Sequence, residues 1–366
     1  MAGTKNFGDF KEIISPFLRN KINLLKSIYG ESSKEYNSIA SQYLKSDLEE
    51  LITKDQRLRH YQSEVNIYFE NKPLIGVERL YKKTILMEPT TVCAAHCRWC
   101  LRAEYPIKTM KEEEIELATR YIGSDDINKD VNEVLITGGD PLMSLPLLKY
   151  TLDKISQNCK NIKIIRIGSR VPFQSPEKIN DKMLEMFSNF KNFRFELGIN
   201  VNHPLEFWDE SLESLKKLKS INFKIYNQNP LLKSVNDDYQ TLKDLYSLLR
   251  EHDIESHYLF HAIPLRGSNH HRTSLKKGYD LVSKISSSGE FSGRSKPKYS
   301  VLSDIGKIVI YQDTIIDRNE KNNTLLLRSG YKIEDRIRWN PSWKKPDSTQ
   351  VDKNGYLLTW YQDGRD

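Results

Sequence analysis

From about residue 82 the chain repeats one pattern: a short run of β-branched and other apolar residues, then an amphipathic stretch with apolar residues at helical spacing. The strand candidates are residues 82–89 (KKTILMEP), 131–139 (VNEVLITGG), 162–170 (IKIIRIGSR), 193–203 (FRFELGINVNH), 223–229 (FKIYNQN) and 256–264 (SHYLFHAIP). Between and after them lie stretches such as KEEEIELATRYIGS, LPLLKYTLDKIS, DESLESLKKLKS and SLKKGYDLVSKIS. Strands joined by helices run parallel, so six such units predict a parallel α/β sheet, open or curved into a partial barrel. Each run ends in a polar or glycine-containing segment (TGGDP, GSRVP, NVNHP, NQNPLL, HAIPLRGS). Parallel α/β folds carry their chemistry at the C-terminal ends of strands, so these segments should converge on one site.

The flanks divide the chain into an N-terminal helical region (residues 1–80), the barrel (81–288) and a C-terminal α+β region (289–366). That last region holds two strand candidates (KIVIYQDTII, NTLLLRSGY) and an aromatic polar tail. A hydrophobic content of 38% with 29% charged residues is ordinary for a soluble globular protein, and no apolar run is long enough to cross a bilayer. The first residues lack the apolar core of a secretory signal, so the expected compartment is the cytoplasm. Although the net charge is +7, its 56 Lys and Arg are interspersed with 49 Asp and Glu. This is a solvated surface rather than a nucleic-acid footprint.

Three of the four cysteines fall within CAAHCRWC, as Cys93, Cys97 and Cys100; the fourth is Cys159. Cysteines this close cannot bridge distant elements, which points to thiolate ligands rather than disulfides. One option is a structural zinc site of the Cys3His type completed by His96, since zinc takes four ligands in tetrahedral geometry and Cys159 is elsewhere. The other is an iron–sulfur cluster held by three thiolates, which leaves one iron open for chemistry.

CAAHCRWC resembles the C-x3-C-x2-C loop of the radical S-adenosylmethionine (radical SAM) superfamily, including an aromatic residue, here Trp99, before the third cysteine. The resemblance implies a [4Fe-4S] cluster on Cys93, Cys97 and Cys100 whose open iron chelates S-adenosylmethionine. It also implies an external one-electron reductant such as flavodoxin or ferredoxin, a 5′-deoxyadenosyl radical, and a partial (β/α)6 TIM-type barrel. The TGGDPL segment, with Gly138, Gly139 and Asp140, resembles the glycine-rich segment that pairs with the methionyl part of the cofactor. Glycines at a strand end permit close backbone approach to a ligand.

Beyond the superfamily, CRWCLR, VLITGGDPL, IRIGSRVP, NVNHP, NQNPLLKSVND, HRTSLKKG, SGRSKPKY and SDIGK resemble, in order, the lysine 2,3-aminomutase family. That resemblance covers about residues 75–330 and implies pyridoxal 5′-phosphate, carried as a Schiff base on a lysine. Lys307, after Gly306, matches that lysine, with Lys296 and Lys298 as rivals. Arg102 matches an arginine that binds the substrate carboxylate, and Arg79 one that binds the coenzyme phosphate. Arg170, Asn200 and Gln228 lie at strand ends expected to face the two cofactors.

In lysine-specific members two aspartates grip the substrate ammonium; the corresponding positions here are Ala262 and Ser303 or Asp304. A buried ammonium without carboxylate partners is costly, so free lysine is not the expected substrate. Arg266, His261 and His271 suggest an acidic or neutral polar amino acid instead. No cysteine follows Cys159, so the family's C-terminal zinc ligands have no counterpart. A homo-oligomer is expected, with Trp339, Trp343 and Trp360 serving either a subunit contact or packing within the chain. The expected activity is amino acid 2,3-aminomutation. The alternatives are another radical transformation of an amino acid or of a protein lysine side chain and, in a different class, a zinc-stabilised binding module.

Overall fold

A computed structural model describes residues 10–51, 67–101 and 108–366. A small hairpin, β1 (Tyr68–Phe69) and β2 (Lys72–Pro73), precedes the strand β3 (Val77–Glu78). Each apolar run then forms its strand: β4 (Thr84–Thr90), β5 (Glu133–Gly138), β6 (Ile164–Gly168), β7 (Arg194–Ile199), β8 (Lys224–Leu231) and β9 (Glu255–His261). Two further strands follow, β10 (Lys298–Ser303) and β11 (Gly306–Val309). Together they make one curled, nine-stranded half-barrel sheet in the order β11-β10-β9-β8-β7-β6-β5-β4-β3. From β4 to β10 all neighbours are parallel, and β3 and β11 close the two edges antiparallel. The sheet therefore extends past the six expected units. Serines dilute the apolar signal of KYSVLS, yet its position beside β9 buries it.

The alternation within strands separates the two faces. In β5, Val134 and Ile136 are wholly buried, whereas Glu133, Leu135 and Thr137 are half-buried. The buried set meets the outer helices, which are α3 (Glu112–Gly123), α5 (Leu145–Asn158), α7 (Asp181–Ser188), α8 (Asp209–Ser220), α9 (Tyr239–Glu251) and α10 (Leu275–Ser287); the short α4 (Asp125–Asn128) and α6 (Val171–Gln174) sit in the connections. Leu148, Leu152 and Ile155 of α5 and Leu242, Leu245 and Leu249 of α9 repeat at helical spacing and are buried in this core. Each such side chain contributes about 1.5–3 kcal/mol on burial. The half-buried set lines the concave face.

Before the barrel, α1 (Pro16–Tyr29) starts at Ser15, whose Oγ accepts from Leu18 N at 3.1 Å, and α2 (Lys34–Ala40) follows. Leu18, Ile22, Leu25 and Ile39 form a core with Ala95, so these helices pack on the cysteine loop. After the barrel, β12 (Ile315–Asn319), β13 (Thr324–Lys332), α11 (Ile333–Trp339), β14 (Thr349–Val351) and β15 (Tyr356–Gln362) follow, the strands forming an antiparallel sheet ordered β12-β13-β15-β14. Arg336 of α11 donates to Leu80 O at 3.2 Å and to Ile305 O, joining the two edges of the half-barrel. Trp343 packs on the main core and Trp339 faces Arg79, so these aromatics work within the chain. No helix among the described residues is long and apolar enough to cross a membrane.

Candidate active site

The cysteine loop leaves the end of β4 and is held from both sides. On one side lies the exit of β5, where Gly139 N donates to Thr90 O at 2.5 Å and Asp140 N to Val92 O at 2.7 Å. Gly138 has φ +105°, and a Cβ there would stand 2.8 Å from Thr90 O; at Gly139 it would stand 2.5 Å from Val92 O. The close approach that demands glycine is thus to the cysteine loop itself. Asp140 accepts from Arg170 N at 2.7 Å, Val171 N at 3.1 Å and Leu142 N at 3.1 Å. Burial raises its pKa while these donors, with Ser169, oppose the rise. It ties the ends of β5 and β6 together.

On the other side lies the N-terminal region. His96 N donates to Ile13 O at 2.8 Å, its Nδ1 lies 2.8 Å from Lys11 O, and its ring stacks on Phe10 at 4.5 Å. Arg98 is buried; its N donates to Gln42 O at 2.8 Å, and its guanidinium pairs with the equally buried Glu49, Nε to Oε1 at 2.7 Å. The sequence offered no sign of this pair, whose partners lie on separate segments.

Cys93, Cys97 and Cys100 are partly exposed thiols, the donor set a cluster needs. Cys97 Sγ accepts from Arg170 Nη1 at 2.9 Å and from Gln174 Nε2 at 3.5 Å. Cys159 is elsewhere: it ends α5, donates to Thr119 O at 3.3 Å, and burial pushes its pKa up to about 12. Among the described residues no three His, Cys, Asp or Glu side chains are placed to hold a single metal ion. In a cluster each thiolate binds a different iron, so the three sulfurs need not converge on one point.

Arg170, at the exit of β6, is buried among thiol, polar and aromatic groups. Its Nη2 donates to Glu206 Oε2 at 2.8 Å, and its guanidinium lies 5.2 Å from the Tyr43 ring and 5.6 Å from the Trp99 ring. Asn200, after β7, donates through Nδ2 to Gln228 O at 3.0 Å, whereas its buried Oδ1 has no hydrogen-bond partner among the described residues. An orphaned acceptor at a strand end suits the donor groups of a nucleoside. Gln228 itself is half-buried on β8.

Lys307 lies on β11, its Nζ 4.0 Å from the Tyr258 ring centroid and 4.9 Å from that of Phe260. Burial, reinforced by the Arg166 cation, pulls its pKa down to about 7. Arg166 is fixed by Glu133 at 2.7 Å and by the Tyr226 hydroxyl at 3.0 Å. Among the described residues no carboxylate pairs with Lys307, and the residue keeps partial exposure. Its rivals differ: Lys298 is exposed, and Lys296 donates to Ser286 O at 2.6 Å on the surface. An amine that loses its proton near neutrality fits a carbonyl coenzyme.

Arg79 is buried against the Trp339 ring at 5.9 Å and donates to Lys82 O at 3.4 Å, a set of contacts different from those of Lys307. Arg102 lies outside the described residues. Ala262 packs with Leu232, Val235 and Trp99. Ser303 donates to Gly306 O at 2.7 Å, and Asp304 accepts from Ser348 at 2.6 Å. Two expectations about the substrate are corrected. His261 is turned outward, bonded to the Tyr361 hydroxyl and to Thr273 O at 2.8 Å each, with burial holding its pKa down to about 3. His271 is buried and held well below its usual pKa by burial, His270 and Arg98. Neither brings a positive charge to the concave face.

A sequence model described as the radical SAM superfamily matches residues 87–260. A putative L-lysine 2,3-aminomutase from Aquifex aeolicus is 32% identical over 237 residues, 63% of this chain and 62% of that protein. The L-lysine 2,3-aminomutase of Methanococcus maripaludis is 32% identical over 236 residues, 63% of this chain and 53% of that protein. The chain thus spans less than two thirds of the length of these curated relatives. Among solved structures, a radical SAM methyltransferase from Sphaerobacter thermophilus is similar at TM-score 0.45 and 13% identity, over 64% of this chain and 68% of that one.

Proposed function

From the premise that this chain belongs to the radical SAM superfamily, among relatives of lysine 2,3-aminomutases, we propose that it is a pyridoxal-phosphate-dependent amino acid 2,3-aminomutase. The observation that carries this reading is Lys307: a strand of the same sheet that bears the cysteine loop holds an amine against two aromatic rings, its pKa drawn to about 7. When bound, the cluster with S-adenosylmethionine would supply hydrogen-atom abstraction, and the coenzyme an extended π-system for nitrogen migration.

The protein's own residues have separate tasks in this scheme. Cys93, Cys97 and Cys100 would hold the cluster, and the β5 exit with Arg98 and Glu49 fixes the loop that carries them. Asn200 and Gln228 offer polar groups to the nucleoside, Lys307 presents a neutral amine, and Arg102 orients the substrate carboxylate through its guanidinium fork. The surroundings of Ala262 favour an uncharged substrate side chain, since Leu232, Val235 and Trp99 give an ammonium nothing to pair with.

An isomerisation conserves mass: nitrogen moves from the α to the β carbon and hydrogen moves back. Anaerobically reconstituted protein, given a panel of amino acids, should yield a β-amino acid of unchanged mass, read by NMR and mass spectrometry. A product of altered mass would refute the aminomutase reading, and lysine as the fastest substrate would refute the uncharged-substrate reading.

A further inference from the structure

We propose that Arg170 is a positioning residue for the iron–sulfur centre, stabilising the negative charge that one-electron reduction places on its Cys97 ligand. The inference rests on the reading of Cys93, Cys97 and Cys100 as cluster ligands. Its basis is geometric. Arg170 Nη1 donates to Cys97 Sγ at 2.9 Å, and the residue is only 8% exposed.

The cation is held so that it cannot swing away. Its backbone N donates to Asp140 at 2.7 Å, its guanidinium lies between the Tyr43 and Trp99 rings, and its Nη2 donates to Glu206 at 2.8 Å. Glu206 is itself fixed, its Oε1 accepting from Asn202 N at 2.8 Å and His203 N at 3.0 Å. In such a buried setting a charge acts more strongly than in water. Reduction by an external one-electron donor adds one negative charge to a centre that thiolates already make anionic. A donor hydrogen bond to a ligand sulfur favours that reduced form, because bonds to the sulfurs and burial set cluster potentials. Glu206 works against Arg170 by neutralising part of its charge. Removing the cation and removing its carboxylate should therefore move the potential in opposite directions, which a purely structural role would not do.

The test uses the full chain, reconstituted anaerobically with iron and sulfide, as wild type, as Glu206→Gln and as the paired Arg170→Gln/Glu206→Gln variant. The midpoint of reduction is read by EPR on samples poised with dithionite and mediators. The paired variant should be about tenfold less reduced than wild type at a given poise, a midpoint ~59 mV lower, the scale of one charged hydrogen bond. Glu206→Gln alone should lie above wild type. Midpoints that stay put, or that move the same way in both variants, overturn the proposal. If the paired variant does not assemble the centre, Glu206→Gln decides alone, and an unmoved or lowered midpoint overturns it. Wild-type protein that takes up no iron and sulfide would instead refute the cluster reading itself.

Discussion

The cysteine rim and the lysine edge belong to one sheet but treat charge in opposite ways. At the rim two buried cations face carboxylates: Arg98 faces Glu49, and Arg170 faces Glu206. At the edge Lys307 rests on Tyr258 and Phe260, with no carboxylate paired to it among the described residues. Paired buried charges stay charged and fix position. An unpaired buried amine gives up its proton and becomes a nucleophile. The rim is built to hold a loop still, and the edge to present a reactive nitrogen.

Substitutions can break this contrast. The largest stability effect should come at the rim: Glu49→Ala leaves Arg98 buried without its carboxylate and should cost about 3–5 kcal/mol in urea denaturation of the apoprotein. Next is Gly139→Ala, whose Cβ would meet the backbone of Thr91 and Val92; overpacking of this kind costs about 1–3 kcal/mol and should also lower iron uptake on reconstitution.

At the edge the sign reverses. The folded-state pKa of Lys307 lies near 7, below its usual 10.5, so between those values the unfolded chain binds the extra proton and stability rises with pH. Below pH 7 the penalty for charging the amine is fully present. Lys307→Met should therefore melt higher than wild type at pH 6, by a margin that shrinks as pH rises towards 10. A margin independent of pH would show that the amine is not strained. The smallest effect belongs to Cys159→Ala, which should leave iron content unchanged because that thiol is bonded to Thr119 O and remote from the loop.

Much of this contrast was legible in the sequence where periodicity carries it. The alternation of apolar runs and amphipathic stretches located β4 through β9, because a strand's alternation and a helix's 3.6-residue spacing are local properties. The cysteine spacing likewise needed no structure. The rim pairs were not legible: Arg98 and Glu49 are 49 positions apart, and Arg170 and Glu206 are 36 apart, with nothing local to mark either. At Gly138 and Gly139 a sequence shows the need for close approach, and the structure adds the cysteine loop as one thing that approaches. The orientation of His261 was legible in the strand pattern. Strand side chains alternate, so His261, next to Phe260 in β9, points to the opposite face from it.

On the proposed function, one half-barrel sheet carries both the cysteine loop and the amine that takes the coenzyme. This is tested most directly by incubating the protein with pyridoxal phosphate, fixing the coenzyme with borohydride and mapping the adduct by peptide mass spectrometry. A pyridoxyl group is expected on Lys307 and lost in Lys307→Met. An adduct on Lys296 or Lys298, or labelling that persists undiminished in Lys307→Met, would contradict it.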